Sequence, residues 1–252
     1  MTGSPGSTQP DRIITIQTPE GPREVDIYTP EGYAIVANLY TRAGWQQKVP
    51  YEVTWLGIPI IQIPEDILMV QELVWRMRPD VIVETGVAHG GSLVLYASLF
   101  EMLGRGRVIG VDIEIRKYNR LAIQSHPTSP RISLIEGSST DPETFASIRQ
   151  RIRPGERVMV TLDSNHTREH VRAELELYCE LVTPGSYMIV FDEVMPMVAD
   201  APRGDPSWDD DNPLEAVRDF LASHPEFQVD LEYERLGVSY CRGGFLRRVA
   251  GD

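Results

Sequence analysis

Cysteine is scarce in this chain: two in 252 residues, Cys179 and Cys241, with no C-x-x-C pair. That excludes a disulfide framework and a cysteine-built zinc site. Two free thiols fit a reducing compartment, so a cytoplasmic location is the expectation. Positive charge is short as well. Lys and Arg number 24 against 37 Asp and Glu, a formal net charge of −13. Nonspecific nucleic-acid binding and anionic membrane surfaces both call for a cationic face, and neither suits this balance. No apolar run approaches the ~20 residues of a membrane span. The opening MTGSPGSTQPDR carries no apolar h-region of a signal peptide and reads as a disordered tail over residues 1–12. Also missing are the G-x-G-x-x-G spacing of dinucleotide sites and the lysine of a P-loop.

What the chain does have is a regular alternation. Its size and 42% hydrophobic content suit one domain plus an appendage. Residues 13–16 and 25–27 flank a turn-like Pro-Glu-Gly-Pro and suggest a hairpin. Residues 31–43 follow a helical pattern carried by Tyr33, Val36, Ala37 and Tyr40, and residues 51–64 are rich in Trp, Ile and Pro. Together 13–64 read as an N-terminal cap over one end of a sheet, and as a possible contact between copies in a homo-oligomer. From residue 65 helices and strands then alternate. Strands are expected at 81–84, 108–112, 132–136, 158–163 and 187–192, with helices at 65–77, 92–103, 117–124, 142–151 and 167–182. The strand segments are apolar on both faces, which argues a mainly parallel, doubly wound α/β sheet. Residues 195–213, with four prolines and an Asp-Asp-Asp run, break the pattern as a solvated loop or a lid. A helix at 214–223 and two closing strands at 227–233 and 239–247 complete the domain, 65–252.

The stretch 81–92, VIVETGVAHGGS, organises the rest. A buried strand ends in Glu84 and enters a helix through a glycine-rich turn that lets backbone approach a ligand. Gly86, His89, Gly91 and Ser92 are its candidate contacts. An ordinary tight strand–helix connection would have the same outline, and His89, like His170, also fits a structural or surface histidine. In open sheets ligands bind at the carboxyl ends of strands, so the acidic residues there carry most information. Asp112 can accept hydrogen bonds from ribose hydroxyls, whether of S-adenosylmethionine or of NAD, or simply cap its own turn. Glu84 can receive a cationic amino group. Asp163, Asp192 and Glu193 close two strands expected to be neighbours about 4.8 Å apart, where three carboxylates can share one Mg²⁺. His166, at the turn after Asp163, suits a general base. Arg203 and Arg168 are candidate cations for a substrate diphosphate.

The segments VIVETGVAHGGSLVLYAS, VIGVDIEI, IEGSSTD and LDSNHTREHVRAELELYCELVTPGSYMIVFDE resemble the cephalosporin hydroxylase / rhamnosyl O-methyltransferase family over residues 55–247. The resemblance implies a class I methyltransferase fold: a Rossmann-like doubly wound sheet closed by an antiparallel hairpin. It implies S-adenosylmethionine and Mg²⁺ as cofactors, with metal ligands at Asp163, Asp192 and Glu193. Cofactor contacts would fall at Glu84, Gly86, Asp112, Asp163 and the Ser138-Ser139 turn. Within the family the chain is most similar to sugar O-methyltransferases of natural-product pathways, which implies a small-molecule sugar or sugar-nucleotide partner. Related macrolide-sugar enzymes carry an Asp where this sequence has Asn165, so the base role is assigned to His166. A nicotinamide dehydrogenase and a non-catalytic partner of a methoxylation enzyme are the alternative readings.

Overall fold

The computed structural model describes residues 12–249. Residues 1–11 of the expected tail lie outside the described residues, and Arg12 is ion-paired with Asp26. Strands β1 (Ile13–Thr18) and β2 (Gly21–Asp26) form the foreseen hairpin. Helix α1 (Pro30–Gln47) follows, with Thr29 accepting the Gly32 N–H as its N-cap. Its inner face corrects the sequence expectation. Tyr33, Val36 and Tyr40 are exposed, while Ala37, Thr41 and Gly44 are buried. Small residues there let the helix lie close to its neighbours. The short pair β3 (Thr54–Trp55) and β4 (Ile58–Pro59) leads into α2 (Pro64–Met77), which buries Ile67, Leu73 and Val74 but leaves Leu68 exposed.

The alternation then runs as β5 (Val81–Thr85), α3 (Gly91–Leu103), β6 (Arg107–Asp112), α4 (Lys117–Ser125) and β7 (Ile132–Glu136). It continues with α5 (Pro142–Arg149), β8 (Val158–Leu162), α6 (Arg168–Tyr178) and β9 (Tyr187–Val190). After the short α7 (Met195–Val198) come α8 (Pro213–Ser223), β10 (Phe227–Val229) and β11 (Phe245–Arg248). The last two strands are shorter than the sequence suggests, because Leu231–Glu234 form a 3-10 turn and residues 242–244 turn before β11 begins.

The central sheet has the order β10-β11-β9-β8-β5-β6-β7. Strands β5 to β9 are parallel, and β11 is antiparallel to both its neighbours. Side-chain alternation divides the core cleanly. Ile82 joins Leu73, Leu93, Tyr96 and Phe100 on one face, whereas Val81 and Val83 join Phe145, Leu175, Tyr178 and Phe220 on the other. Each such buried side chain contributes roughly 1.5–3 kcal/mol relative to exposure. This two-faced core fixes the five parallel strand ends in one row, and the chemistry gathers along that row. Among the described residues no helix is long and apolar enough to cross a membrane. Both cysteines are free, Cys241 buried and Cys179 half-buried.

Candidate functional site

Two cavities open along the carboxyl ends of the parallel strands and share Gly86, Ala88, Asp163 and Ser164. The smaller, about 380 Å³, is also bordered by Asp112, Ser138, Ser139, Asn165 and His170. The larger, about 400 Å³, runs past His89, Gly91 and Ser92 to His166 and Asp192, and on to Gln62, Trp45, Trp208 and Tyr240.

Gly86 sits where β5 and β8 part. Its φ is +88°, and a Cβ there would stand 1.8 Å from the Asp163 carbonyl oxygen. Only glycine lets the turn lie against Asp163. Asp112, at the end of β6, holds the same turn: its Oδ2 accepts the Val87 N–H at 2.8 Å and the Ala88 N–H at 3.1 Å. Asp112 therefore shapes the turn as well as bordering the cavity. Gly91 opens α3 without a side chain, and a Cβ would meet the Pro59 carbonyl at 2.3 Å. That close approach seats the 54–63 segment on α3, where Trp55 Nε1 donates to Ser98 Oγ at 3.0 Å.

Asp163, His166 and Asp192 offer one ligand atom each within 4.8 Å of one another. His166 Nε2 is 3.2 Å from Asp192 Oδ2. Loss of solvation and then the Asp192 charge push Asp163 up from the ordinary carboxylate range, and His166 opposes them. Asp192 has a φ of +65°, a strained conformation for a residue with a side chain. A pair of carboxylates pressed together beside a histidine is chemically suited to a hard divalent cation, which needs only one or two carboxylates from the protein.

Two expected ligands stand elsewhere. Glu193 is 2% exposed, and among the described residues both its carboxyl oxygens lack a hydrogen-bond partner. It is packed beneath Gly244, where an added Cβ would meet its Oε1 at 2.2 Å. It lies outside the group formed by Asp163, His166 and Asp192. After the turn at Asp192 the Glu193 side chain lies against Gly244 and borders neither cavity. Glu84 is wholly buried behind the glycine turn, accepts the Ser92 hydroxyl at 2.7 Å, and borders neither cavity. Desolvation pushes its carboxyl well up, with the Asp163 charge adding to the effect. Its Oε2 ties α3 to β5 through Ser92, and among the described residues its Oε1 has no hydrogen-bond partner.

Other residues gain a place. His170, expected to be structural or exposed, borders the smaller cavity. Its Nε2 lies 3.1 Å from Ser139 Oγ and 3.2 Å from Ser164 Oγ. The two arginine candidates separate: Arg203 borders the larger cavity, while Arg168 is forked onto Asp219 at 2.8 and 2.9 Å outside both cavities. The segment 195–213 is no free loop. Arg42 is forked onto Asp200, Arg203 donates to the Trp45 carbonyl at 2.8 Å, and Trp208 packs edge-on to Trp45. Gln62, Trp45 and Trp208 had no motif to announce them. The nearest signal was the cluster of Trp, Ile and Pro read as a cover.

A family model described as Rhamnosyl O-methyltransferase/CmcI matches residues 47–249. The chain belongs to that family. Among its relatives is the rhamnosyl O-methyltransferase of Mycobacterium leprae, 30% identical over 218 residues, 84% of this chain and 90% of the relative. The rhamnosyl O-methyltransferase of Mycobacterium bovis is 29% identical over 219 residues, 84% of this chain and 85% of the relative. A solved CmcI structure with Mg and SAM aligns with a TM-score of 0.57 at 22% identity, over 79% of this chain and 78% of that one. An O-methyltransferase from Bacillus cereus in complex with SAH aligns at 0.50 and 18% identity, over 80% and 84% of the two chains. The fold is that of the class I methyltransferases.

Proposed function

We propose that the protein transfers a methyl group from S-adenosylmethionine to a hydroxyl of a deoxysugar, with Mg²⁺, in natural-product biosynthesis. The acceptor class is a rhamnose-like sugar, carried on a nucleotide such as TDP. The observation that carries this reading is the position of Asp163. It borders both cavities and stands within a ligand's reach of His166 and Asp192. Family membership and relatives named for rhamnosyl O-methylation support it.

Bound S-adenosylmethionine supplies an electrophilic sulfonium methyl, and bound Mg²⁺ supplies positive charge that acidifies a sugar hydroxyl. Asp163 and Asp192 would hold the ion, which takes one or two carboxylates from a protein. Asp112, Ser138, Ser139 and the turn at Gly86, His89, Gly91 and Ser92 seat the donor, consistent with their place around the cavities. His166 would take the hydroxyl proton onto Nε2, and Asp192 Oδ2, 3.2 Å from that nitrogen, would stabilise the imidazolium so formed. The oxygen forms the new C–O bond as the S–CH₃ bond breaks and its electron pair stays on sulfur. Holding the two reactants in adjoining cavities that meet at Gly86 and Asp163 supplies much of the acceleration. The 195–213 segment keeps water out.

The test mixes protein with labelled S-adenosylmethionine, TDP-rhamnose and Mg²⁺ and follows S-adenosylhomocysteine. Asp163→Ala is expected to lower turnover by more than ~100-fold while S-adenosylhomocysteine still binds. Full-rate methylation by EDTA-treated, metal-free protein would overturn the metal role.

A further inference from the structure

One end of the larger cavity is built by parts of the chain that lie outside the sheet. Trp45 closes α1, Gln62 precedes α2, and Trp208 and Tyr240 come from the C-terminal half. The Trp45 and Trp208 rings meet at 89° with centroids 5.7 Å apart, and Tyr240 stands 5.9 Å from Trp45. Arg203 lies 6.0 Å over the Trp45 ring and braces its carbonyl. Gln62 is 4% exposed, and among the described residues neither its amide nitrogen nor its oxygen has a partner at full hydrogen-bond geometry, although it lies near enough to Asp163 to favour that residue's charged carboxylate. The buried Trp45 Nε1 lacks one too. Nearly all buried polar groups in folded proteins are satisfied. Gln62 and Trp45 line the same cavity as Asp163, His166 and Asp192.

We propose that this end is the acceptor seat, in which the corner made by Trp45 and Trp208 takes the C–H face of a saturated sugar ring and Gln62 binds the hydroxyl beside the one that is methylated. A carboxamide both donates and accepts, which matches a hydroxyl, also donor and acceptor at once. Two rings at a right angle form a corner. A puckered ring with one apolar face and a polar rim can lay that face on the indoles and turn its hydroxyls toward the amide. Trp45 Nε1–H supplies a second donor. The seat rests on the methyl-transfer reading for its orientation toward His166, and its saccharide chemistry can be tested without turnover.

The experiment uses the full chain with Mg²⁺ and methyl α-L-rhamnoside as probe. Binding is followed by tryptophan fluorescence and saturation-transfer NMR, with and without S-adenosylhomocysteine. Gln62→Leu and Trp208→Ala are each expected to weaken rhamnoside binding about tenfold, with S-adenosylhomocysteine affinity unchanged, which also shows that the variants fold. Unchanged rhamnoside binding in both variants, or no binding to the unaltered protein, overturns the seat. A fall in S-adenosylhomocysteine affinity for Gln62→Leu instead assigns that amide to the donor and overturns its role here. Failure of the unaltered protein to bind S-adenosylhomocysteine sinks the methyl-transfer reading, and the rhamnoside measurement still decides the seat.

Discussion

The two cavities are built by different means. The smaller is made almost wholly by ends of parallel strands and the turns that follow them, held in register by pairs such as Thr85↔Val111, Thr85↔Leu162 and Asp112↔Glu136. The far wall of the larger one comes from α1, the segment before α2, and residues 195–213 and 240. Side-chain ties hold it in place: Arg42 to Asp200, Arg203 to the Trp45 carbonyl, and Asp66 to Ser239 and Tyr240. Where a site is part of the sheet's rim, its geometry follows from the fold. Where it is assembled from added segments, a few contacts set it, and those contacts can change without disturbing the sheet.

The rim should therefore be intolerant and the wall adjustable. Gly86→Ala is the sharpest probe of the rim. The added Cβ would sit 1.8 Å from the Asp163 carbonyl oxygen at a φ of +88°. Backbone must separate between β5 and β8, where Asp163 N–H donates to the Thr85 carbonyl at 2.9 Å. The expected loss is on the order of 2–4 kcal/mol in urea unfolding, together with S-adenosylhomocysteine binding. Full cofactor affinity in this variant would break the contrast between a rigid rim and an adjustable wall.

The same division explains what could be read from sequence. Strand ends were legible because five apolar runs end in polar residues, so Asp112, Asp163 and Asp192 could be placed in one row. Side-chain direction at those ends was less legible. Both faces of the sheet are buried, so alternation alone does not say whether Glu84 faces α3 or a ligand; it faces Ser92. Glu193 follows a residue with a φ of +65°, beyond the last regular residue of β9, and the two-residue period no longer applies there. The wall was illegible for another reason. Trp45, Gln62 and Trp208 share no local pattern and meet only through tertiary packing. The stripe of Tyr33, Val36 and Tyr40 even misdirected the reading, because α1 buries Ala37, Thr41 and Gly44 instead.

Asp66 offers a gentler probe, where the wall is tied to α2. Its carboxylate accepts Ser239 Oγ–H at 2.7 Å and the Tyr240 N–H at 2.8 Å, holding the strand of chain that presents Tyr240. Burial pushes its pKa up to about 7, and the two hydrogen bonds only partly oppose this. The unfolded value is about 3.9, so the folded state holds the proton more tightly. The associated stability is complete below about pH 4 and is lost as pH rises toward about 7. Asp66→Asn removes that dependence. Across this window the melting temperature of the variant should fall by roughly 5 °C less than that of the unaltered protein. Parallel melting curves would show that the carboxyl already ionises freely in the folded protein.

The smallest effect is expected at Arg42, the clamp between α1 and the 195–213 segment. Its Nη2 reaches both Asp200 oxygens, at 2.7 and 2.8 Å, and its Nη1 donates to the Met197 carbonyl. Asp200 is 74% exposed and Arg42 38%, so water and salt screen most of the attraction, and Arg42→Ala should cost under about 1 kcal/mol of stability. The consequence lies in position rather than stability. With the clamp gone, α1 no longer fixes the helix that precedes Arg203 and Trp208, and the aromatic corner loosens. Rhamnoside binding should weaken about two- to fivefold, and raising the salt concentration should weaken the unaltered protein toward the variant while leaving the variant itself unmoved. S-adenosylhomocysteine affinity, set by the strand-end rim, should stay constant in both. A parallel fall in S-adenosylhomocysteine affinity would show that the wall and the rim respond as one body, because a loosened clamp would then be felt at Gly86 and Asp163 as well as at Trp208.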